Sequence, residues 1–333
     1  MHYGLALSGG GTRGAAHVGV LKALEEARLL PDAVAGTSAG SIAAGLYASG
    51  MPVSEMEKAV RQLAAHGNDY LDPDYSGIME FVPRLLTGRK ISLQGYIKGD
   101  KLLSYLCELT AGKQLDESVV KLVIPAVDLI SGQTLCFTNS ETAGAQMHVR
   151  WTWDAYLCEA MMASSSVPGI FAPRKIGSWL LVDGGVTHNQ PGGLLKAAGA
   201  GPVIAVDVGA PYSAPDDDSV IEVLSHSFSI MGSLLEECRP PSEALRLHLP
   251  LPKDAGLLSF DKMEACMEIG YQLSLIHISV GPVKHSLPAD YQVINPLFKP
   301  LHQFQLLHLM QGQAYAGMGC LEVPESRREL VLG

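Results

Sequence analysis

The chain has 333 residues, 47% of them hydrophobic and 17% charged, and a formal net charge of −10. That length and balance suit a compact protein with a large buried core and exclude a disordered one. With no lysine/arginine block, nucleic acid is not an expected partner and a polybasic membrane anchor is absent, whereas contact with lipid through apolar surface stays open.

The first elements lie in Tyr3 to Leu21, "YGLALSGGGTRGAAHVGVL": a strand over 3–8, a glycine loop, and a helix over 14–27. Gly9, Gly11 and Gly14 spell G-x-G-x-x-G, which in that setting is the pattern of a dinucleotide-binding turn. Such a fold needs an acidic residue at the end of its second strand to hold the ribose. The second strand, 32–37, runs instead into "GTSAG", placing Ser38 between Gly36 and Gly40 and ahead of a helix over 39–49. G-x-S-x-G between a strand and a helix is the setting of a nucleophile elbow, with the helix's positive end turned toward the serine. The glycine loop then changes meaning. Amides around Gly10, Gly11 and Thr12 become donors for a transient oxyanion, each worth about 2.7–4 kcal/mol, and no cofactor is needed.

Residues 33–54 carry no charge and are long enough to span a bilayer, but they are rich in Gly, Ser, Thr and Ala. We read them as strand, turn and buried helix. Helices follow over 54–65 and 99–111. Between them, 66–98 has the weakest pattern and holds the apolar cluster Ile78, Met79, Phe81, Val82, Leu85 and Leu86. It reads equally as a packed insert or as a mobile cap over an apolar substrate.

Strands over 121–129 and 133–138 form an expected hairpin turning near Ser131-Gly132. After a helix over 153–163, a strand over 178–182 leads to Asp183 in "WLLVDGGVTHNQPGG". Taken alone, Asp-Gly-Gly is a turn. Beside a nucleophile elbow, Asp183 becomes the candidate base for Ser38, since both residues end strands. His188, five residues later, is the alternative base, and His17 lies on the first helix one turn past the glycine loop. A helix over 191–199, a strand over 202–208, a helix over 217–237, a strand over 244–249 and a helix over 260–272 complete the pattern. Short, uninterrupted apolar strands alternating with helices imply a three-layer α/β/α sandwich with a largely parallel central sheet. The nucleophile follows the second strand, which is too early for an ordinary α/β-hydrolase.

Six cysteines lack C-x-x-C or zinc-ligand spacing, so reduced, mostly buried thiols and no metal site are expected. The first strand begins so near Met1 that no signal peptide is expected, which points to a cytoplasmic protein, peripheral at a membrane if it meets lipid.

Together "GGGTRG", "GTSAG" and "DGG" resemble the oxyanion loop, nucleophile elbow and aspartate motif of the patatin-like phospholipase family, in its compact bacterial form. "ASSSVPGIFAP" (163–173) is similar to the family segment preceding that aspartate. The resemblance covers residues 3 to about 272, so we expect one acyl-hydrolase domain over 1–272 and a separate extension over 273–333. The extension opens on "LSLIHI", which one frame of a common transposon or sequencing-adaptor end also encodes. The resemblance implies metal-independent hydrolysis of acyl-lipid esters, with Ser38 as nucleophile and Asp183 as base. It also implies oxyanion donors at Gly10, Gly11 and Thr12, with Gly9, Arg13 and Gly14 supporting the loop. Arg13 would orient that loop or meet a lipid phosphate. After Asp-Gly-Gly, "VTHNQPG" departs from the paired asparagines more usual in close relatives. Two other classes stay open at this stage: a scaffold on the same fold, and a nucleotide-binding oxidoreductase.

Overall fold

The computed structural model describes residues 2–74, 95–209, 220–239 and 242–279. Each strand expected from the pattern is present, joined by four short ones. In chain order they are β1 (Gly4–Leu7), β2 (Ala33–Gly36), β3 (Gly95–Ile97), β4 (Lys121–Asp128), β5 (Thr134–Thr138), β6 (Val149–Thr152), β7 (Gly169–Phe171), β8 (Arg174–Ile176), β9 (Trp179–Asp183), β10 (Val203–Asp207) and β11 (Leu245–His248). The helices are α1 (Ala15–Glu26), α2 (Ala39–Ala48), α3 (Val53–His66), α4 (Asp100–Leu109), α5 (Leu157–Ser164), α6 (Gly185–His188), α7 (Gly192–Ala197), α8 (Val220–Glu237) and α9 (Met263–Ser279).

The sheet runs in the order β11-β10-β1-β2-β4-β5-β6, and β9 joins β4 and carries β8. From β11 through β4 every neighbour is parallel. β5 turns back antiparallel on β4, as the hairpin reading expects, and β6 runs parallel to β5. Asp128 locks the hairpin: its carboxylate accepts from Ser131 N at 3.1 Å and from Leu180 N at 3.1 Å, tying β9 to the turn.

Side chains alternate across the strands, and the two faces differ in size. Leu5, Leu7, Val34, Ile124, Phe137, Ile204 and Val206 point to one face, under α1, α2, α3, α5 and α9. Ala6, Ala33 and Ala35 point to the other, where Leu194, Leu195 and Ala198 of the α7 region close over them. Large residues build the thick side of the core and alanines let α7 press close to the sheet. Residues 33–54 fold as β2, elbow and α2. Among the described residues no helix is long and apolar enough to cross a membrane.

One feature departs from the sequence reading. Cys107 of α4 and Cys158 of α5 form a disulfide, with Cα atoms 4.9 Å apart. The expectation of thiols throughout is corrected at this pair. The two residues lie 51 apart in sequence, and only the packing of α4 on α5 brings them together. Cys136 and Cys266 are free and buried, and Cys238 is free and exposed. α9 passes through residue 272 without a break, and Ser274 is buried. The apolar cluster Ile78–Leu86 and residues 280–333 lie outside the described residues.

Candidate active site

The site forms where the sheet forks. β4 is eight residues long and shares one edge between two strands. Its first half pairs with β2 in parallel, Ala35 opposite Val123, and its second half with β9 in antiparallel, Asp183 opposite Ala126. β2 and β9 therefore point their C-terminal ends at each other. Ser38 follows one end and Asp183 closes the other.

Ser38 adopts φ 53° and ψ −127°, a left-handed backbone that L-residues avoid, so the elbow stores strain at the residue it presents. The turn is tight enough that a Cβ on Gly36 would be driven into the carbonyl of Gly40. Hydrogen bonds hold the strained residue in place. Ser38 N–H donates to Ser164 Oγ at 3.1 Å, Ser41 Oγ donates to Ser38 O at 2.6 Å, and Thr37 Oγ1 donates to His188 O at 2.7 Å.

Asp183 is buried, with the Ser38 side chain beside its carboxyl. Gly185 N–H donates to that carboxylate at 2.6 Å. Burial pushes the carboxyl up to about 6, and the neighbouring Ser38 hydroxyl and Gly185 amide, which favour the ionised form, oppose that rise. The segment after α5 ties both residues to one support. Ser164 Oγ takes the Ser38 amide, Ser166 O takes Asp183 N–H at 2.9 Å, and Ser164 O takes Gly184 N–H at 3.3 Å. The consecutive serines 164–166 are the signal for this support, but no local pattern gives their partners.

The glycine loop lies beside Ser38. A Cβ on Gly9 would sit 3.2 Å from Ser38 Cβ, and Gly9 N–H donates to Asn189 O at 3.2 Å. Gly11 has φ 58°, with Leu257 close against it, so a side chain there is excluded twice. Gly10 precedes the 3-10 turn Gly11–Gly14, whose first amides have no acceptor within the turn. Among the described residues the amides of Gly10, Gly11 and Thr12 find no other backbone acceptor, nor does that of Ala39, the first residue of α2. Sequence reading missed Ala39, although the residue after an elbow nucleophile is an expected oxyanion donor. Gly14 packs against Ala39, joining loop to elbow, and Thr12 Oγ1 donates to Gly256 O at 2.6 Å.

His17 is fully buried, and burial lowers it to about 4, which keeps it neutral. Its Nε2 lies 2.9 Å from Ser8 O, so it braces the strand end that carries the loop. Arg13 faces inward toward Asp207 and Cys266, and burial lowers its pKa. His188, the alternative base, turns elsewhere: its Nδ1 is 3.1 Å from Thr187 Oγ1 and 3.4 Å from Thr134 Oγ1. Burial and then the charge of Arg239 lower it to about 4.

An apolar cavity of about 130 Å³ runs from Ser38 and the glycine loop into the space between α2, α3 and α4. Ile42, Leu46, Val60, Leu106 and Phe171 are among its walls, and Ser165, whose Oγ is buried without a partner among the described residues, adds one polar atom. A larger hollow of about 560 Å³ lies against Lys58, Gln62, Tyr105 and Lys113 and contains none of these site residues.

The family model described as patatin-like phospholipase matches residues 5–194, more than half of the chain. The chain belongs to the patatin-like phospholipase family. An uncharacterised NTE family protein of Mycobacterium tuberculosis is 32% identical over 305 residues, covering 84% of this chain and 47% of that protein. The human patatin-like phospholipase domain-containing protein 6 is 31% identical over 244 residues, 73% of this chain and 16% of that one. Lysophospholipase nte1 of Emericella nidulans is 28% identical over 237 residues, 71% of this chain and 13% of that one. The chain thus spans about half the length of the mycobacterial relative and far less of the other two. Among solved structures, VipD of Legionella pneumophila has a TM-score of 0.43 at 14% identity, covering 83% of this chain and 66% of that one. The patatin-like match spans the glycine loop, Ser38, the serines 164–166 and Asp183, so every element of the forked site falls within it.

Proposed function

We propose that this patatin-like chain is a serine lipid acyl hydrolase that cleaves fatty-acyl esters with Ser38 and Asp183, without metal. The observation that carries the reading is a buried carboxyl, Asp183, set beside the side chain of Ser38 at a strained elbow that opens into an apolar cavity. Asp183 removes the Ser38 proton as the hydroxyl attacks the ester carbonyl. Its raised pKa makes it a stronger base than an ordinary carboxylate while leaving it mostly ionised at pH 7. The developing oxyanion is met by the amides of Gly10, Gly11 and Thr12, joined by Ala39. The alcohol leaves with the proton, and water activated by the same carboxylate releases the fatty acid from Ser38.

The ester end of the acyl chain enters the cavity and the head group stays toward solvent. Phospholipid and lysophospholipid are the substrates to try first, met peripherally at a membrane from the cytoplasmic side. The test is hydrolysis of a p-nitrophenyl ester together with phospholipid and lysophospholipid panels, by wild type, Ser38→Ala and Asp183→Asn. Loss of activity in both folded variants is expected. Turnover that survives Ser38→Ala would overturn the reading.

A further inference from the structure

The disulfide joins two helices that have separate duties at the site. α4 carries Leu102, Leu106 and Leu109, which wall the apolar cavity. α5 ends in Ser164, which holds the Ser38 amide, and Met161 O accepts from Ser41 Oγ at 3.3 Å. Cys107 lies in the same last turn as Leu106 and Leu109, so the bond to Cys158 ties the helix that forms this cavity wall to α5.

Both ends of α4 are pinned by other means. Asp72 accepts from Gly99 N–H at 2.7 Å and Asp100 N–H at 3.0 Å at its start. Beyond its end, Leu157 N–H donates to Lys113 O at 2.9 Å and Leu115 N–H to Ala155 O at 3.1 Å. Between those anchors, the disulfide is the covalent hold on the last turn of the helix.

The cavity volume makes that hold consequential. At about 130 Å³ it is on the scale of an apolar cavity that admits benzene, roughly six carbons; its mouth is open, and a long acyl chain is taken up along its whole length only if a wall gives way. The bonded wall is α4. The two sulfurs also differ in access, since Cys107 is half-buried and Cys158 is 1% exposed. The other described cysteines do not share this position: Cys136 is fully enclosed, Cys266 is raised to about 11 by burial, and Cys238 is exposed on α8.

We propose that Cys107–Cys158 is a thiol-exchange site that sets the acyl length the cavity accepts: short chains when bonded, long chains when reduced. This rests on the proposed acyl-hydrolase reading for its substrate and on the disulfide's place in the fold for its mechanism. The co-reactant is a dithiol. Its thiolate attacks Cys107 Sγ and forms a mixed disulfide, and Cys158 Sγ leaves as a thiolate and takes up a proton. The second thiol of the reductant, losing its own proton, then releases Cys107 as a thiol and departs as the oxidised disulfide. The enzyme gains two electrons and two protons, and the dithiol loses the same. Relaxed from α5, the last turn of α4 moves outward and Leu106 no longer closes the cavity.

The test uses the full chain treated with oxidised or reduced dithiothreitol, without denaturant, and compares wild type with Cys107→Ala. Alkylation and intact mass report the thiols, cis-parinaric acid reports long-chain binding, and p-nitrophenyl butyrate and palmitate report turnover. Reduction is expected to expose one alkylatable thiol at each of Cys107 and Cys158. It should tighten parinaric acid binding by about tenfold, the value of roughly two further buried methylenes. Butyrate hydrolysis should change by less than about two-fold, because short chains already fit the bonded cavity. Cys107→Ala should behave as the reduced form in either buffer. A pair that is reduced only on unfolding, or two redox forms that bind parinaric acid equally, would overturn the proposal. Absence of ester hydrolysis in both forms would count against the hydrolase reading, while the binding and thiol readouts still decide the switch.

Discussion

Ser38 and Asp183 end strands that meet head-on at the fork in β4, yet the two ends are built on different terms. Ser38 owes its turn to its neighbours in sequence: Gly36 and Gly40 allow it, α2 begins at once, and the strain sits in a single residue, whose amide is then tied to Ser164. Asp183 owes its place to distant parts of the chain, since β9 lies on β4 and its amide hangs from Ser166. A local device delivers the hydroxyl, and a tertiary one buries the carboxylate that it meets. Trimming the Ser38 side chain should therefore act on the chemistry alone. Changes at the aspartate end should alter chemistry, pH dependence and stability together.

The largest expected effect is at the serine. Ser38→Ala should lower kcat/KM by about 10⁴-fold or more with an unchanged melting temperature, read by ester hydrolysis and thermal denaturation. Asp183→Asn should cost about 10³-fold, and it should also raise stability. The sign follows from burial. A carboxyl raised to about 6 in the folded protein contributes stability below its unfolded pKa, and that contribution is lost as pH rises through about 6. At pH 7.5 the wild type carries the full cost of a buried charge. Removing that charge should stabilise the fold by about 1–3 kcal/mol, less whatever hydrogen bonding the amide loses. Melting temperatures at pH 5 and 7.5 measure it, and the gap between variant and wild type should widen at the higher pH.

Gly11→Ala should come next. With φ 58° and Leu257 against it, the substitution displaces the loop's amides and should cost about 10²-fold in kcat with little change in KM. Ser164→Ala, which frees the Ser38 amide, should cost about tenfold, and kcat measured across the pH range should keep its shape. The smallest effect belongs to His188→Ala, where activity within about three-fold of wild type is expected because its ring is engaged with Thr134 and Thr187. A loss as large as that of Asp183→Asn would transfer the base to the histidine.

The same contrast governs what could be read from the sequence. The elbow and the glycine loop were legible because each is a short contiguous run whose glycines have local causes. The strand ending in Asp183 was legible too, but its direction was not, since a buried apolar strand reads alike whether it runs with or against its neighbour. Nothing local says that β4 divides one edge between β2 and β9. The strands β3, β7 and β8 have three residues each, too short for any alternation to register. The supporting roles of Ser164 and Ser166 and the Cys107–Cys158 bond depend on α5 packing against two other elements, a fact of tertiary structure alone. The helix expected over 260–272 continues to Ser279 because its apolar face still finds the core at Leu273.

The most direct test of a Ser38–Asp183 pair is the pH dependence of fluorophosphonate labelling of Ser38, in wild type and Asp183→Asn, since labelling needs neither a lipid nor product release. The expected result is a wild-type rate that rises with pH through an apparent pKa of about 6 and levels off, and a variant that reacts far more slowly with no such rise. Equal labelling of the two proteins across the whole pH range would contradict it.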